Sequence, residues 1–343
     1  MNRALKTISL ALAGLVAAWL PQGSALAQAK MRISLDTNAT HVRNVSTEKF
    51  AEELKKRVGN KLVVEIYPSA QLFRDRDIPK ALRQNAIEMG IPGTWQLDGV
   101  APDTAIPTLP MFYGLDEDTV HKILDGKLGQ FISKRTEEQL KVKIIGKWVD
   151  LGMNHFYSVS KPLTKYTDLN GMKIRFPGGS ANAARIKGLG GNPILIPWPD
   201  LPLAMSQGVV DAVQTTHESV FTAKLWDSGL KYCFEDHQAF AQYIPMVSLD
   251  FWNKQPKDIQ NAILAAWEAM IGGERVAAAK AQIAAREVLI KNGIKMSQPS
   301  PAEIDAARKR LMAAQDGLVK EMKIDPNAVQ LGLKELHAAK VVF

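Results

Sequence analysis

Apolar positions recur along this chain at two spacings, and the spacing switches repeatedly. Residues 31–35 alternate apolar and polar, which predicts a half-buried strand. Through residues 45–58 the apolar positions fall at helical intervals, with Phe50 and Leu54 on one face and Gly59 as the stop. A strand is expected over 62–67, a helix over 78–85 and a further strand over 87–91. Residues 119–124 and 128–140 read as helices, and 142–149 as a strand. Such alternation predicts an α/β protein with parallel sheet. A polar, aromatic stretch, 150–160, then reads as a first crossing between two lobes.

The next segment is more sharply patterned. Met172, Ile174 and Phe176 alternate with Lys173 and Arg175 in a short strand. Gly171 turns into it, and Pro177 ends it. Ser180 is suited to N-cap a helix over 181–189. An apolar run at 193–197, a short helix at 200–207 stopped by Gly208, and a buried-type strand at 209–213 complete a parallel unit. Gly188-Leu189-Gly190-Gly191 follows a helix and not a strand, so it is a helix stop, not a dinucleotide loop. Residues 243–252 are apolar and predict a return to the first lobe. Residues 256–291 form one long helical pattern, with Gly272-Gly273 as an expected bend. Ser300-Pro301-Ala302-Glu303 is a capping box that opens a helix to about Met322.

This layout puts Arg175 outside the carboxyl end of a parallel strand, where open α/β sheets bind ligands. A guanidinium meets the two oxygens of a carboxylate with two parallel hydrogen bonds. The alternative is an edge-strand arginine paired with a surface acid. Gln214, Thr215 and Thr216 end the last strand of the same unit and are candidates for the same cleft, with His217 and Glu218 next in line. Glu218 is equally suited to pairing with a lysine. Trp95 follows the strand end at Ile91-Pro92-Gly93, and Trp198 follows the second strand of the Arg175 unit. Asn38, Thr40 and His41 follow the first strand. Core packing is the alternative for the tryptophans and is the expectation for Trp148, Trp226 and Trp252. A helix N-cap cluster is the alternative for Asn38, Thr40 and His41.

Catalytic signatures are missing: there is no HExxH, no G-x-S-x-G and no phosphate-binding loop. The histidines, at 41, 121, 155, 217, 237 and 337, show no metal-ligand spacing. No catalytic residue, metal or cofactor is therefore expected. The chain has 343 residues, 46% hydrophobic and 23% charged, enough for two packed lobes. Its net charge is +8, but the cations are spread along helices, as at Lys55-Lys56-Arg57, and read as solvated faces, not a nucleic-acid patch. The single cysteine, Cys233, permits no intrachain disulfide and is expected to be packed. At the N-terminus, Arg3 and Lys6 precede an apolar run at 8–20 and small residues at 24–27. This is a signal-peptide pattern, with 1–27 removed before Gln28, or alternatively cleavage after Ala29. The run is too short for a confident membrane span and no second one follows, so an exported protein without stable membrane insertion is expected.

Several stretches also carry a family resemblance. "DLNGMKIRFP" from Asp168 is followed by "GNP" and "GVVDA", and the chain also contains "KLVVEIYPSAQL" at 61–72, "LPMFYG" at 109–114 and "FWNKQPKDIQNAI" at 251–263. In this order and spacing the chain resembles the solute-binding proteins of tripartite ATP-independent periplasmic (TRAP) transporters along nearly its whole length after the leader. The resemblance implies a periplasmic-binding-protein-like clamshell of two α/β lobes, with several inter-lobe crossings and a long lobe-spanning helix. Residues 28–150 plus about 243–275 would form lobe I, and 151–242 plus about 276–343 lobe II. Arg175 would clamp the carboxylate of an organic acid. The protein would be periplasmic and would deliver its ligand to a small and a large membrane permease subunit, with no catalysis and no cofactor. Two departures narrow the ligand. Where many members carry a second arginine, this chain has Asn154 with His155 beside it, and Thr215 stands where many have asparagine. One strong cation in place of two favours a monocarboxylate, such as a hydroxy, keto or aromatic acid. Rival readings are a sensory receptor, a binding protein of an ATP-driven importer and a secreted α/β hydrolase.

Overall fold

The computed structural model describes residues 29–341, and the expected leader lies outside them. Its strands are β1 (Ala29–Ser34), β2 (Leu62–Tyr67), β3 (Met89–Gly90), β4 (Val142–Ile144), β5 (Val149–Ser158), β6 (Lys173–Phe176), β7 (Asn192–Leu195), β8 (Ala212–Thr215), β9 (Tyr232–Tyr243), β10 (Met246–Ser248) and β11 (Lys295–Ser297). They form two sheets, ordered β2-β1-β3-β10-β4 and β11-β9-β5-β8-β6-β7. β1 lies parallel to β2 and β3, and β6 lies parallel to β7 and β8. The sheets are mixed, because β10 runs antiparallel to both its neighbours in the first and β5 to both its neighbours, β8 and β9, in the second. Two α/β lobes result, each built on one sheet.

The chain passes between the sheets at residues 145–148 and again at Ile244-Pro245. The stretch 150–160, expected to be the crossing, is mostly the long strand β5 of the second sheet. Its alternation is hidden because the pairing with β9 slips between Asp150 and Gly152 and again between Asn154 and Phe156. β9 was not anticipated either. Its Glu235 and Asp236 look wrong for a buried strand, yet both are buried and paired with arginines, Glu235 with Arg286 and Asp236 with Arg185. β8 extends past the predicted 213 into Gln214 and Thr215.

Each sheet is covered on both faces. Phe50, Leu54, Ile263 and Trp267 pack on one side of the first, and Leu82, Ile106, Leu128 and Ile132 on the other. Phe156, Ile174, Leu189 and Leu311 cover one side of the second, and Tyr157, Val213, Leu225 and Leu289 the other. The helix Lys257–Lys291 runs 35 residues without a break through Gly272-Gly273. Ile259 and Ile263 pack in the first lobe and Leu289 in the second, so this helix spans both. No helix among the described residues is long and apolar enough to cross a membrane.

The C-terminal region departs from the expected plan. The helix opened by the Ser300 capping box ends at Met312, and a separate helix covers Gln315–Glu321. Lys323, at φ +57°, reverses the chain, and Asp325 caps a last helix, Pro326–Ala338. Ala328, Val329 and Leu336 of that helix pack with Ile106, Leu128 and Ile132, so the chain end returns to the first lobe instead of staying with the second.

The loop after β6 sets how closely the lobes meet. Gly179, at φ +88°, takes the N-cap position expected for Ser180 and makes no side-chain cap. A Cβ there would lie 2.9 Å from Trp95 Cβ and 3.1 Å from the Trp95 carbonyl oxygen. Gly179→Ala is expected to cost about 1–3 kcal/mol of backbone strain, with the clash in addition. Its melting temperature should fall and ligand affinity should fall with it. An unchanged melting curve would show that this close approach is not required.

Candidate functional site

Between the lobes lies a cavity of about 40 Å³, room for a few water-sized groups. Arg175 lines it, 1% exposed, placed by the alternation of β6 and held by three contacts. Its Nε donates to the Ile196 carbonyl at 2.9 Å and its Nη1 to the Gln214 carbonyl at 3.4 Å. The guanidinium sits 5.3 Å from the centre of the Trp198 ring. Its Nη2 is buried without a hydrogen-bond partner, and no acidic side chain pairs with it among the described residues. Burial lowers its pKa to about 10, with the Asp36 charge offsetting part of the loss. A guanidinium in this state is still cationic at neutral pH and lacks its counter-ion.

A second buried arginine, unforeseen from the sequence, makes the contrast clear. Arg43 binds Asp36 at 2.5 Å, Asp75 at 2.8 Å and the Ile91 carbonyl at 3.0 Å, and lies 4.2 Å from the centre of the Tyr243 ring. Burial opposes its charge, but Asp75 and Asp36 outweigh that and hold its pKa above the ordinary value. Asp36, Asp75 and Tyr243 line the cavity beside Arg175. Among the described residues, the cleft thus sets one buried arginine against two acidic side chains and one against none.

Burial raises the pKa of Asp75 to about 7, against the pull of Arg43. Between the ordinary carboxylate range and that value, folded Asp75 keeps a proton that the unfolded chain has released. Its stabilising contribution is thus complete at low pH and is lost as pH rises towards 7. Asp75→Asn should remove this dependence, so its melting temperature should gain on the native protein between pH 4.5 and pH 8. Parallel curves across that range would sink the assignment.

The cavity gathers Asn154, Gln214, Thr215, Trp95 and Trp198 around Arg175. Gln214 Nε2 donates to Asn182 Oδ1 at 3.3 Å, leaving Gln214 Oε1 buried and unpartnered, like Trp95 Nε1 and Asp75 Oδ1. The other predicted residues go elsewhere. Thr216 caps the helix His217–Thr222 through the Ser219 amide. His217 faces away, with Nδ1 on the Tyr157 hydroxyl and Nε2 3.0 Å from Glu235. Glu218 reaches the opposite lobe: Oε1 accepts from the Val42 amide at 2.9 Å, and Oε2 lies 2.8 Å from His41 Nε2. Asn38 Nδ2 donates to the Thr222 carbonyl at 2.8 Å, again across the lobes. Asn38, His41 and Glu218 thus fasten the cleft and do not line it; Thr40 bonds back to Asn38. Asp36 and Thr37, in the loop that follows β1, are the ones that face the cavity.

Comparison with known proteins identifies the family. The family described as DctP, bacterial extracellular solute-binding protein, family 7, matches residues 34–321. The 2,3-diketo-L-gulonate-binding periplasmic protein YiaO of Escherichia coli is 25% identical over 258 residues, 75% of this chain and 76% of that protein. The C4-dicarboxylate-binding periplasmic protein DctP of Rhodobacter capsulatus is 26% identical over 216 residues, 63% of each chain. The fold matches the sugar acid binding protein DctPAm of Advenella mimigardefordensis, solved with galactonate, at a TM-score of 0.85 and 19% identity, over 90% of this chain and 98% of that one. A match of this extent settles kinship: the chain belongs to bacterial extracellular solute-binding protein family 7, the periplasmic receptors of TRAP transporters, and is a binding protein, not an enzyme.

Proposed function

We propose that this receptor captures a monocarboxylate that also carries a hydroxyl or similar donor, and delivers it to the small and large membrane subunits of a TRAP permease. The observation that carries the reading is Arg175, buried at 1% exposure with Nη2 unpartnered and no acid of its own. A carboxylate supplies the missing charge in the geometry a guanidinium fork prefers. Among the described residues Arg175 is the one cleft cation without an acid, since Arg43 is held by Asp36 and Asp75, which disfavours a second carboxylate. The remaining unpartnered atoms point to the rest of the ligand. Trp95 Nε1 needs an acceptor, whereas Gln214 Oε1 needs a donor, which a hydroxy acid provides. The bound galactonate of the Advenella protein and the diketo-gulonate of the Escherichia coli relative are such acids.

A thermal-shift and calorimetric screen tests this. Hydroxy, keto and aromatic monocarboxylates would be compared with C4-dicarboxylates, amines and neutral sugars. A ligand at a hundred times its Kd adds about 2.7 kcal/mol to the folded state. That corresponds to a shift of several degrees at this size. Selective response to one class of monocarboxylate is the expected result. Preference for dicarboxylates would overturn the one-cation argument, and response to amines or sugars alone would overturn the clamp.

A further inference from the structure

β5 separates two cavities. Leu151 and Asn154 face the Arg175 cleft, while Asp150, Gly152 and His155 face a second space of about 290 Å³, bounded also by Ala278 and Gln282 of the long helix. At its edge, Glu117 and His121 stand one turn apart on the helix Glu117–Leu124, and Asp150 meets them from the start of β5. One donor atom from each lies within 4.8 Å of the others. His121 Nε2 is 2.8 Å from Asp150 Oδ2, and Gln242 Nε2 holds the other Asp150 oxygen at 2.8 Å.

A buried carboxyl group and a buried amide stand beside the set. Glu274 is 1% exposed; its Oε2 accepts from the Asp150 amide at 3.1 Å, and its Oε1 is buried with no hydrogen-bond partner. Gln242 Oε1 is a further buried acceptor without a partner. The adjacent cation, Arg275, is forked onto Asp125 at 2.7 and 2.9 Å.

We propose that Glu117, His121 and Asp150 bind one divalent transition-metal ion, with zinc the best match. Zinc accepts both imidazole nitrogen and carboxylate oxygen, and three protein ligands leave a fourth position for water. Glu117 and Asp150 also line the second cavity, which gives that position space. Calcium, which takes six to eight oxygens, and magnesium, which dehydrates reluctantly, fit a three-ligand site containing nitrogen poorly. The ion takes the place of the proton between His121 and Asp150, while Gln242 orients the Asp150 carboxylate from behind. It would pin a first-lobe helix to the first residues of β5, just after the crossing at 145–148. Single-sequence spacing missed the set because its third ligand comes from another element.

The test is calorimetry of the exported protein with Zn²⁺, Ca²⁺ and Mg²⁺ at pH 7.5, on the native chain and on His121→Ala, Glu117→Gln and His237→Ala. Glu117 and His121 are partly exposed, so their variants should keep the fold, checked by circular dichroism. One Zn²⁺ per chain is expected, weakened at least tenfold by His121→Ala and by Glu117→Gln, unaffected by His237→Ala, and not displaced by Ca²⁺ or Mg²⁺. Absence of stoichiometric Zn²⁺ binding would overturn the proposal. So would binding that survives both His121→Ala and Glu117→Gln, or that disappears only with His237→Ala. None of these outcomes depends on the organic ligand.

Discussion

Arg175→Met is expected to remove carboxylate binding while leaving the fold in place. Breaking a buried ion pair by deleting one partner costs about 3–5 kcal/mol. That is a loss of roughly a hundredfold to a few thousandfold in Kd. Stability without ligand should change little, because two effects oppose each other. The variant no longer buries a cation that lacks a counter-ion, but it loses the hydrogen bond from Nε to the Ile196 carbonyl at 2.9 Å. Methionine keeps an unbranched side chain of similar reach beside Trp198. Arg175→Lys retains the charge without the fork, so it should bind between the two. Calorimetry with the best acid from the screen, beside a melting curve of each ligand-free variant, checks both halves. Retained affinity in Arg175→Met would refute the clamp even if every other contact stood.

Arg175 was legible because its signals are local: a strand with strict alternation, a proline that ends it and a parallel unit around it. Trp95, Trp198, Asn154, Gln214 and Thr215 were legible for a related reason, since strand ends in one crevice converge on it. The prediction failed one residue later. Thr216 is already the cap of a helix, and successive helical residues rotate by about 100°, so Thr216, His217 and Glu218 leave in three directions. Continuing the strand reading past Thr215 wrongly kept them all in the cleft. Arg43, Asp36 and Asp75 were missed because their pairing joins a helix, a strand end and a 3₁₀ turn far apart in sequence. β5 and β9 were misread because their bulges and buried charges break the pattern that marks a strand. At the level of lobes, the alternation of strand and helix was sufficient. The return of Pro326–Ala338 to the first lobe was not, because an amphipathic helix does not declare which core it covers.

Glu218→Ala should weaken binding by a different route, through the fraction of receptor whose lobes are together. Glu218 does not line the Arg175 cavity. It accepts from the Val42 amide at 2.9 Å and meets His41 at 2.8 Å, and the Gln282 side chain accepts from its own amide at 3.0 Å. Beside it Ser219 Oγ is 3.2 Å from His41 Nε2, and Asn38 bonds to the Thr222 carbonyl. With the carboxylate gone, the Val42 amide at the start of its helix loses its acceptor and must find water, which favours separation. An unmade buried hydrogen bond costs about 1–3 kcal/mol. Apparent affinity scales with the binding-competent fraction, so Kd should rise by roughly five- to a hundredfold if that cost falls on the closed form alone. Small-angle scattering separates this variant from Arg175→Met. Without ligand, Glu218→Ala should show a larger radius of gyration than the native protein and should contract on saturation, whereas Arg175→Met should stay at the native radius. A Glu218→Ala protein with native radius and native Kd would mean that the inter-lobe contact fills space without holding the lobes together, and that closure rests on the ligand alone.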